Sequence, residues 1–399
     1  MTRRRLALAG GVAAAALLLL AAWWPGEAAH DAVALAPAPA GPAAAPPAAA
    51  SATPRPASLT AEQWQAQRAL WEQRLQRARF TLDNYREATR YPHESRPIAA
   101  HPDQVYPNRP IVEERPLRNP GGAVVEGLNL RTTQERVFAQ GDEGVLLTVA
   151  AVDAEGRRLP LEVPRAFAHE GATGVRASRV PAVNVRFTDD GRAGDARAGD
   201  GVLSFRLHPA SQGFAQLDGV IRVELALQSG DHPGYAFFDV IYSPEVPATW
   251  GTGVREAVEQ GSLNLYLPVQ VLRPGRYVAS GRIDDVRGKP FALATFNGEL
   301  GAGPGELRLQ VFGRLLRDGQ PAFPLVLRDV EAFLLKPDAF PDRALLPRRT
   351  GTVHTTAAYA LSAFSDAEWR SEERQRYLDE YTKDVREAED ALDRLGTGP

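Results

Sequence analysis
The chain has 399 residues, 44% of them apolar and 24% charged. That is enough for two or three domains with ordinary cores. It has no cysteine, which excludes disulfides, thiolate zinc sites, iron–sulfur clusters, a cysteine nucleophile and a lipidated N-terminal cysteine. A net charge of -3, from 46 basic against 49 acidic side chains, excludes a nucleic-acid binder held by bulk electrostatics.

The N-terminus reads as an address. Arg3, Arg4 and Arg5 precede an uncharged run from Leu6 to Trp24. A positive flank stays cytoplasmic, so residues 6–24 predict a single pass of the inner membrane with the bulk of the chain outside it. The competing reading of residues 1–30 is a cleaved signal peptide, with Ala32-Val33-Ala34 as a cleavage site. Residues 31–58 are mostly Ala and Pro and form an extended, semi-rigid linker. Heavy use of Ala, Arg and Pro fits a bacterial genome rich in G and C, which makes the outer compartment the periplasm.

Residues 59–90 predict an amphipathic helix. Thr60-Ala61-Glu62-Gln63 is a capping box, with Leu59 and Trp64 as its staple. Trp64, Trp71, Leu75, Ala78, Leu82 and Tyr85 form one apolar stripe. Its period permits a coiled coil, but packing on the protein's own body is the better expectation. Prolines 92, 97, 102 and 107 then recur every five residues, followed by Pro110, Pro116 and Pro120. Residues 91–122 are therefore expected to be extended and without regular structure, as a partner-docking peptide or a strap over the adjacent domain.

From residue 123 the apolar period becomes two. Val183, Val185 and Phe187; Leu203, Phe205 and Leu207; and Ile221, Val223, Leu225 and Leu227 each alternate with other residues, as half-buried strands do. Residues 123–245 predict a sandwich of seven or so antiparallel strands. A connection containing Trp250 leads to a second set of strands, closing with Phe323 to Leu335, so 246–350 predicts a second sandwich. Residues 351–399 predict a C-terminal helix, with a capping box at Ser365-Asp366-Ala367-Glu368 and a seam through Leu378, Tyr381, Val385, Ala388, Leu392 and Leu395. The two terminal helices could pair within the chain, the favoured reading, or build a homo-oligomer.

Pro274-Gly275-Arg276-Tyr277, Ser280-Gly281-Arg282-Ile283, Gly288-Lys289-Pro290, Gly298-Glu299-Leu300, Gly303 and Leu309-Gln310-Val311-Phe312-Gly313 give the second domain a familiar pattern. It resembles the Ig-like β-sandwich of bacterial envelope proteins of the "choice-of-anchor X" type. In the first domain, Asp189-Asp190-Gly191 through Gly199-Asp200-Gly201 resembles an acidic glycine loop of the same group. The resemblance covers about residues 123–335 and implies an envelope location and a non-catalytic role. An N-terminal anchor and a charged C-terminal helix depart from that group's pattern.

That loop is the strongest local chemical signal. Asp189, Asp190, Asp195 and Asp200 fall within twelve residues, separated by Gly191, Gly194, Gly199 and Gly201. Glycines let a loop wrap a hard cation, which makes calcium the candidate ion, structural rather than catalytic. Arg192 and Arg197 could neutralise the loop instead, leaving a solvated turn. The seven histidines lack metal-ligand spacing, and there is no G-x-S-x-G elbow or P-loop. Trp64, Trp71, Leu75, Trp250, Leu378 and Val385 are the candidate interface residues, Trp250 as a wedge between the sandwiches. Tyr235, Phe237, Phe238 and Tyr242 offer either core or a glycan or peptide platform.

The sequence thus predicts a mainly β protein of two Ig-like antiparallel sandwiches in tandem, flanked by an N-terminal and a C-terminal helix. The expected function is non-enzymatic: a membrane-tethered periplasmic scaffold for envelope proteins of unknown identity, with no nucleic acid. The alternatives are a calcium-dependent adhesion or glycan-binding module, and an envelope hydrolase with an unrecognised site.

Overall fold
A computed structural model describes residues 60–171 and 180–396. The predicted membrane segment, the cleavage site, the linker and Leu59 lie outside the described residues. No helix among the described residues is long and apolar enough to cross a membrane.

Helix α1 (Ala61–Ala88) begins at the predicted capping box. Thr60 Oγ1 accepts from the Gln63 amide at 3.2 Å, and Gln63 Oε1 accepts from the Thr60 amide at 3.0 Å, which satisfies two donors left over at the helix start. The proline ladder that follows is not wholly irregular. Residues Ser95–Pro97 form strand β1, and Ile111–Arg118 form β2. β1 extends an edge of the second sandwich, not of the adjacent first one, and Ser95 Oγ accepts from the Phe312 amide there at 2.8 Å. β2 belongs to the first sandwich, which therefore starts at Ile111 and not near 123. Only Leu117 of β2 is buried. Pro116 is tolerated because β2 is an edge strand, where a missing N–H breaks no ladder.

The first sandwich is mainly antiparallel. One sheet runs β2–β3–β5–β6, from β3 (Val124–Gln134), β5 (Val145–Val152) and β6 (Arg158–Leu159), with β9 (Leu203–Leu207) also on β5. The other runs β4–β11–β10–β7–β8, from β4 (Phe138–Gln140), β7 (Glu162–Glu170), β8 (Val183–Asn184), β10 (Gly219–Ser229) and β11 (His232–Ser243). These ten strands exceed the expected seven, and β4 lies parallel to β11. In β10 the expected alternation holds: Ile221, Val223, Leu225 and Leu227 face the core, while Arg222, Glu224 and Ala226 face out.

The second sandwich has a four-stranded sheet of β12 (Ala248–Trp250), β14 (Ser262–Val271), β13 (Arg255–Glu259) and β17 (Gly303–Val311). Facing it are β1, β16 (Pro290–Leu300), β15 (Gly275–Asp284), β18 (Val326–Leu335), β19 (Arg343–Leu345) and β20 (Arg349–Thr355). The sheet thus runs past Leu335, to Thr355. Its core holds Leu263, Leu265, Leu267, Leu307 and Leu309, all inaccessible to solvent. The short helix α2 (Gly313–Gly319) packs so closely that a Cβ on Gly313 would lie 2.0 Å from the Gly261 carbonyl oxygen.

Where the two sandwiches meet, charged side chains of the second reach residues of the first. The Arg343 guanidinium lies 4.9 Å from the Phe138 ring and 4.8 Å from the Phe333 ring. Lys336 Nζ bonds Asp218 at 2.9 Å.

Helix α3 (Glu372–Leu395) starts six residues later than the Ser365 box implies. Ser365 Oγ accepts from the Ala367 amide and makes only a turn. Ser371 is the cap used, accepting from the Arg374 amide at 3.1 Å. α3 pairs antiparallel with α1. Trp64 Nε1 donates to the Leu395 carbonyl at 2.9 Å, Arg79 pairs with Glu389, and Tyr85 packs on Tyr381. At the base of this hairpin, Arg374 Nε donates to the Thr89 carbonyl at 3.0 Å, while Arg90 and Tyr91 donate to Asp318 of α2 at 2.9 Å.

Candidate functional site
The acidic loop leaves the first sandwich through a pinned mouth, where Thr188 and Ser204 exchange backbone hydrogen bonds of 3.0 and 2.8 Å. Gly191 and Gly199 at its bends have φ of 70° and 71°, which a side chain strains. Asp189 turns inward: Oδ1 accepts from the Gly199 amide at 2.6 Å and Oδ2 from the Gly201 amide at 2.8 Å. Asp195 is only 8% exposed and accepts from the Gly191 amide at 2.6 Å. Asp200 accepts from the Val202 amide at 2.9 Å.

One carboxylate oxygen from each of Asp189, Asp195 and Asp200 lies within 4.8 Å of the others. Asp190, the fourth expected ligand, is outside this group. It is exposed and accepts from the Arg192 amide at 2.9 Å, because adjacent residues in a tight turn point apart. Three converging hard oxygens suit calcium better than a softer ion, with carbonyls and water needed to reach six ligands or more. Arg192 and Arg197 meet the carboxylates through backbone amides, Arg197 to Asp195 at 3.5 Å.

The predicted interface residues serve the chain itself. Trp64, Trp71, Leu75, Leu378 and Val385 are half-buried along the α1–α3 hairpin. Trp250 does not wedge between the sandwiches. It lies in β12, packs on the second core, and donates through Nε1 to the Pro347 carbonyl at 2.5 Å. Below the hairpin is a cleft of about 400 Å³ lined by Arg86, Arg90, Arg314, Arg374, Glu87 and Glu368, among others. Arg90 and Arg374 are engaged in the ties at the hairpin base, Arg314 pairs with Glu368 at 3.3 Å, and Arg86 pairs with Asp83 of its own helix. Burial pushes the Asp318 carboxyl up, but hydrogen bonds from Tyr91 and Arg90 outweigh it and hold the group below the usual carboxylate range.

Of the clustered aromatics, Phe238 and Tyr242 are core, as their shared strand face implies, while Tyr235 and Phe237 point outward and are each 46% exposed. The sequence names no partner for these two. Only strand register brings Phe167 and His169 of β7 level with Glu224 and Arg222, and so onto the same face.

No protein-family model matches the chain, and no curated protein does. Among solved structures, a DUF4785 family protein from Legionella pneumophila is similar at 12% identity, over 57% of this chain and 57% of that one, with a TM-score of 0.39. An Escherichia coli alpha-2-macroglobulin is similar at 12% identity, over 56% of this chain and 20% of that one, with a TM-score of 0.22. The Escherichia coli adhesin FdeC is similar at 16% identity, over 46% of this chain and 63% of that one, with a TM-score of 0.19. The chain thus spans less than two thirds of the length of each, and these likenesses carry no argument about activity.

Proposed function
We propose that the chain is an exported, membrane-tethered protein of the bacterial envelope that works by binding rather than catalysis, as a scaffold or accessory subunit. The observation that carries this reading is the hairpin. A 28-residue helix is about 42 Å long. The tip where residue 60 enters lies beside Gly396, and the hairpin's ties to α2 gather at the opposite end. In this reading the tether joins the hairpin at that tip, and the sandwiches carry the binding surfaces. Residues 6–24 are the membrane segment in this reading, and the periplasm is the compartment. Membership of the "choice-of-anchor X" group is part of the same proposal.

In-cell photo-crosslinking tests it, with the photoreactive residue placed at exposed Val112, Val286 or Phe80 of the full chain. A discrete protein adduct from a sandwich position, recovered with inner membranes, is expected. Background labelling alone at all three positions would contradict the scaffold role.

A second reading, a calcium-dependent binding module, is favoured by the convergence of Asp189, Asp195 and Asp200. A rise in melting temperature with calcium, abolished in Asp195→Asn, supports it. Equal melting with calcium and with chelator rejects it.

A further inference from the structure
The outer face of β7, β10 and β11 carries a cluster of aromatic and charged side chains. Three rows cross it in register: Arg165–Ala226–Tyr235, Phe167–Glu224–Phe237 and His169–Arg222–Asp239. Ala226 is exposed and short, while its neighbours on either side are long. The row therefore has a floor at its centre and walls at Arg165 and Tyr235, two strand spacings or about 9.6 Å apart.

The walls are braced. Arg222 grips Asp239 through two bonds of 2.8 Å and lies 4.2 Å from the Phe237 ring centroid. His169 Nε2 sits 3.2 Å from Glu224, and its ring stacks on Phe167 at 5.5 Å. The Arg165 guanidinium lies 5.2 Å from the Phe167 ring centroid. Burial, with the nearby Glu224 carboxylate, pushes the Tyr235 hydroxyl's pKa up to about 12. Long side chains that already hold one position lose little entropy when a ligand arrives.

Two properties name the ligand class. First, the charges cancel. Arg165 and Arg222 are matched by Glu224 and Asp239, so the face has no field with which to select an ion. Second, it sets flat apolar rings beside carboxylates with capacity to spare. A carboxylate has about four acceptor sites, and Glu224 faces His169 Nε2 at 3.2 Å, which leaves acceptor capacity free. A sugar ring has the complementary surface: an apolar C–H face for the aromatic rings and an edge of hydroxyl donors for the carboxylates. We propose that the trough over Ala226, between Tyr235, Phe237 and Arg165, binds neutral pyranose units of an oligosaccharide. The proposal goes beyond the tethered-scaffold reading and stands without it, because it needs neither the anchor nor a protein partner.

The test titrates the full chain with cellohexaose, maltohexaose and chitohexaose, followed by calorimetry and amide chemical shifts. Saturable binding of at least one, with shifts confined to β7, β10 and β11, is expected. Tyr235→Ala and Phe237→Ala should each weaken it at least about ten-fold. Ala226→Arg, which fills the trough, should abolish it. None of the three side chains is in the core, so each variant should stay folded with at most a small fall in melting temperature, and binding is compared at a temperature where all are folded. No binding of any of the three sugars at about 10 mM would overturn the proposal. So would binding that survives Ala226→Arg, or preference for a sulfated or carboxylated oligosaccharide or an aromatic peptide. Failure here leaves the crosslinking result untouched, so the two readings fail separately.

Discussion
The sandwiches and the helical hairpin are held together by different means. In the sandwiches, Val145, Leu147, Val223, Leu225, Leu263 and Leu265 have no solvent contact at all. In the hairpin only Leu82, Ala388, Ala391 and the Arg374 side chain are buried, and most of the apolar seam is half-exposed. Its attachment relies on charged ties at one end. Hydrophobic burial scales with area, at about 25 cal/mol per Å², so the sandwiches rest on many equivalent contacts and the hairpin on a few identifiable ones. The low-stability unit is the one expected to open first.

The comparison breaks most visibly in the cores. Leu225→Ala in the first sandwich and Leu265→Ala in the second should each cost about 2–5 kcal/mol, because both leave a closed cavity. Denaturant melts would show it as a fall in midpoint, and a loss below about 1 kcal/mol would mean that these cores are loosely packed. Next comes the acidic loop. Calcium at a hundred times its dissociation constant should stabilise the first sandwich by about 2.7 kcal/mol, and Asp189→Asn should remove that gain. Asp190→Asn should leave it intact, since Asp190 stands outside the cluster.

The hairpin should respond at its base. Arg374→Ala removes charge-assisted bonds to Thr89, a loss of about 1.5–3 kcal/mol. Amide exchange in α1 and α3 should quicken while the sandwich cores keep their protection. A pH series sharpens the same point. The folded Asp318 carboxyl sits below its usual value, so the stability it adds is present above about pH 4 and is lost as pH falls through the lower folded value. Hairpin protection should therefore drop on that acid limb, and Asp318→Asn should flatten it. The smallest effect belongs to the cap: Thr60→Ala should cost about 1 kcal/mol, seen as fraying of the first turn of α1 alone.

Where periodicity is regular, the sequence was a sufficient guide. The alternation through Ile221–Leu227 and the 3.5-residue seam of α1 each identify the face that is buried. The Thr60 box marks a helix start because both of its reciprocal bonds are local. The Ser365 box has the same letters and makes only a turn, because Ser371 offers a second cap nearer the seam. β2 was illegible for a different reason: Ile111-Val112-Glu113-Glu114-Arg115-Pro116 has no alternating apolar face, and its strand state comes from pairing with β3. Trp250 was misplaced because a three-residue strand has no pattern to read. In the acidic loop the residue types pointed to the cluster, but which three carboxylates converge depends on the glycine bends. The outer-face trough joins residues from positions 165 to 239 through register alone, which no local motif encodes.

The central claim, that the sandwiches are exported and held on a tether, can be tested directly because the chain has no cysteine of its own. Single cysteines replace Gln63 at the hairpin tip and Asp231 at the β10–β11 turn of the full chain, and a membrane-impermeant maleimide reads their exposure in cells. The account predicts that both label once the outer membrane alone is opened, and that the labelled chain sediments with inner membranes. Labelling only after complete lysis, or full labelling on a chain released into the soluble fraction, would contradict it.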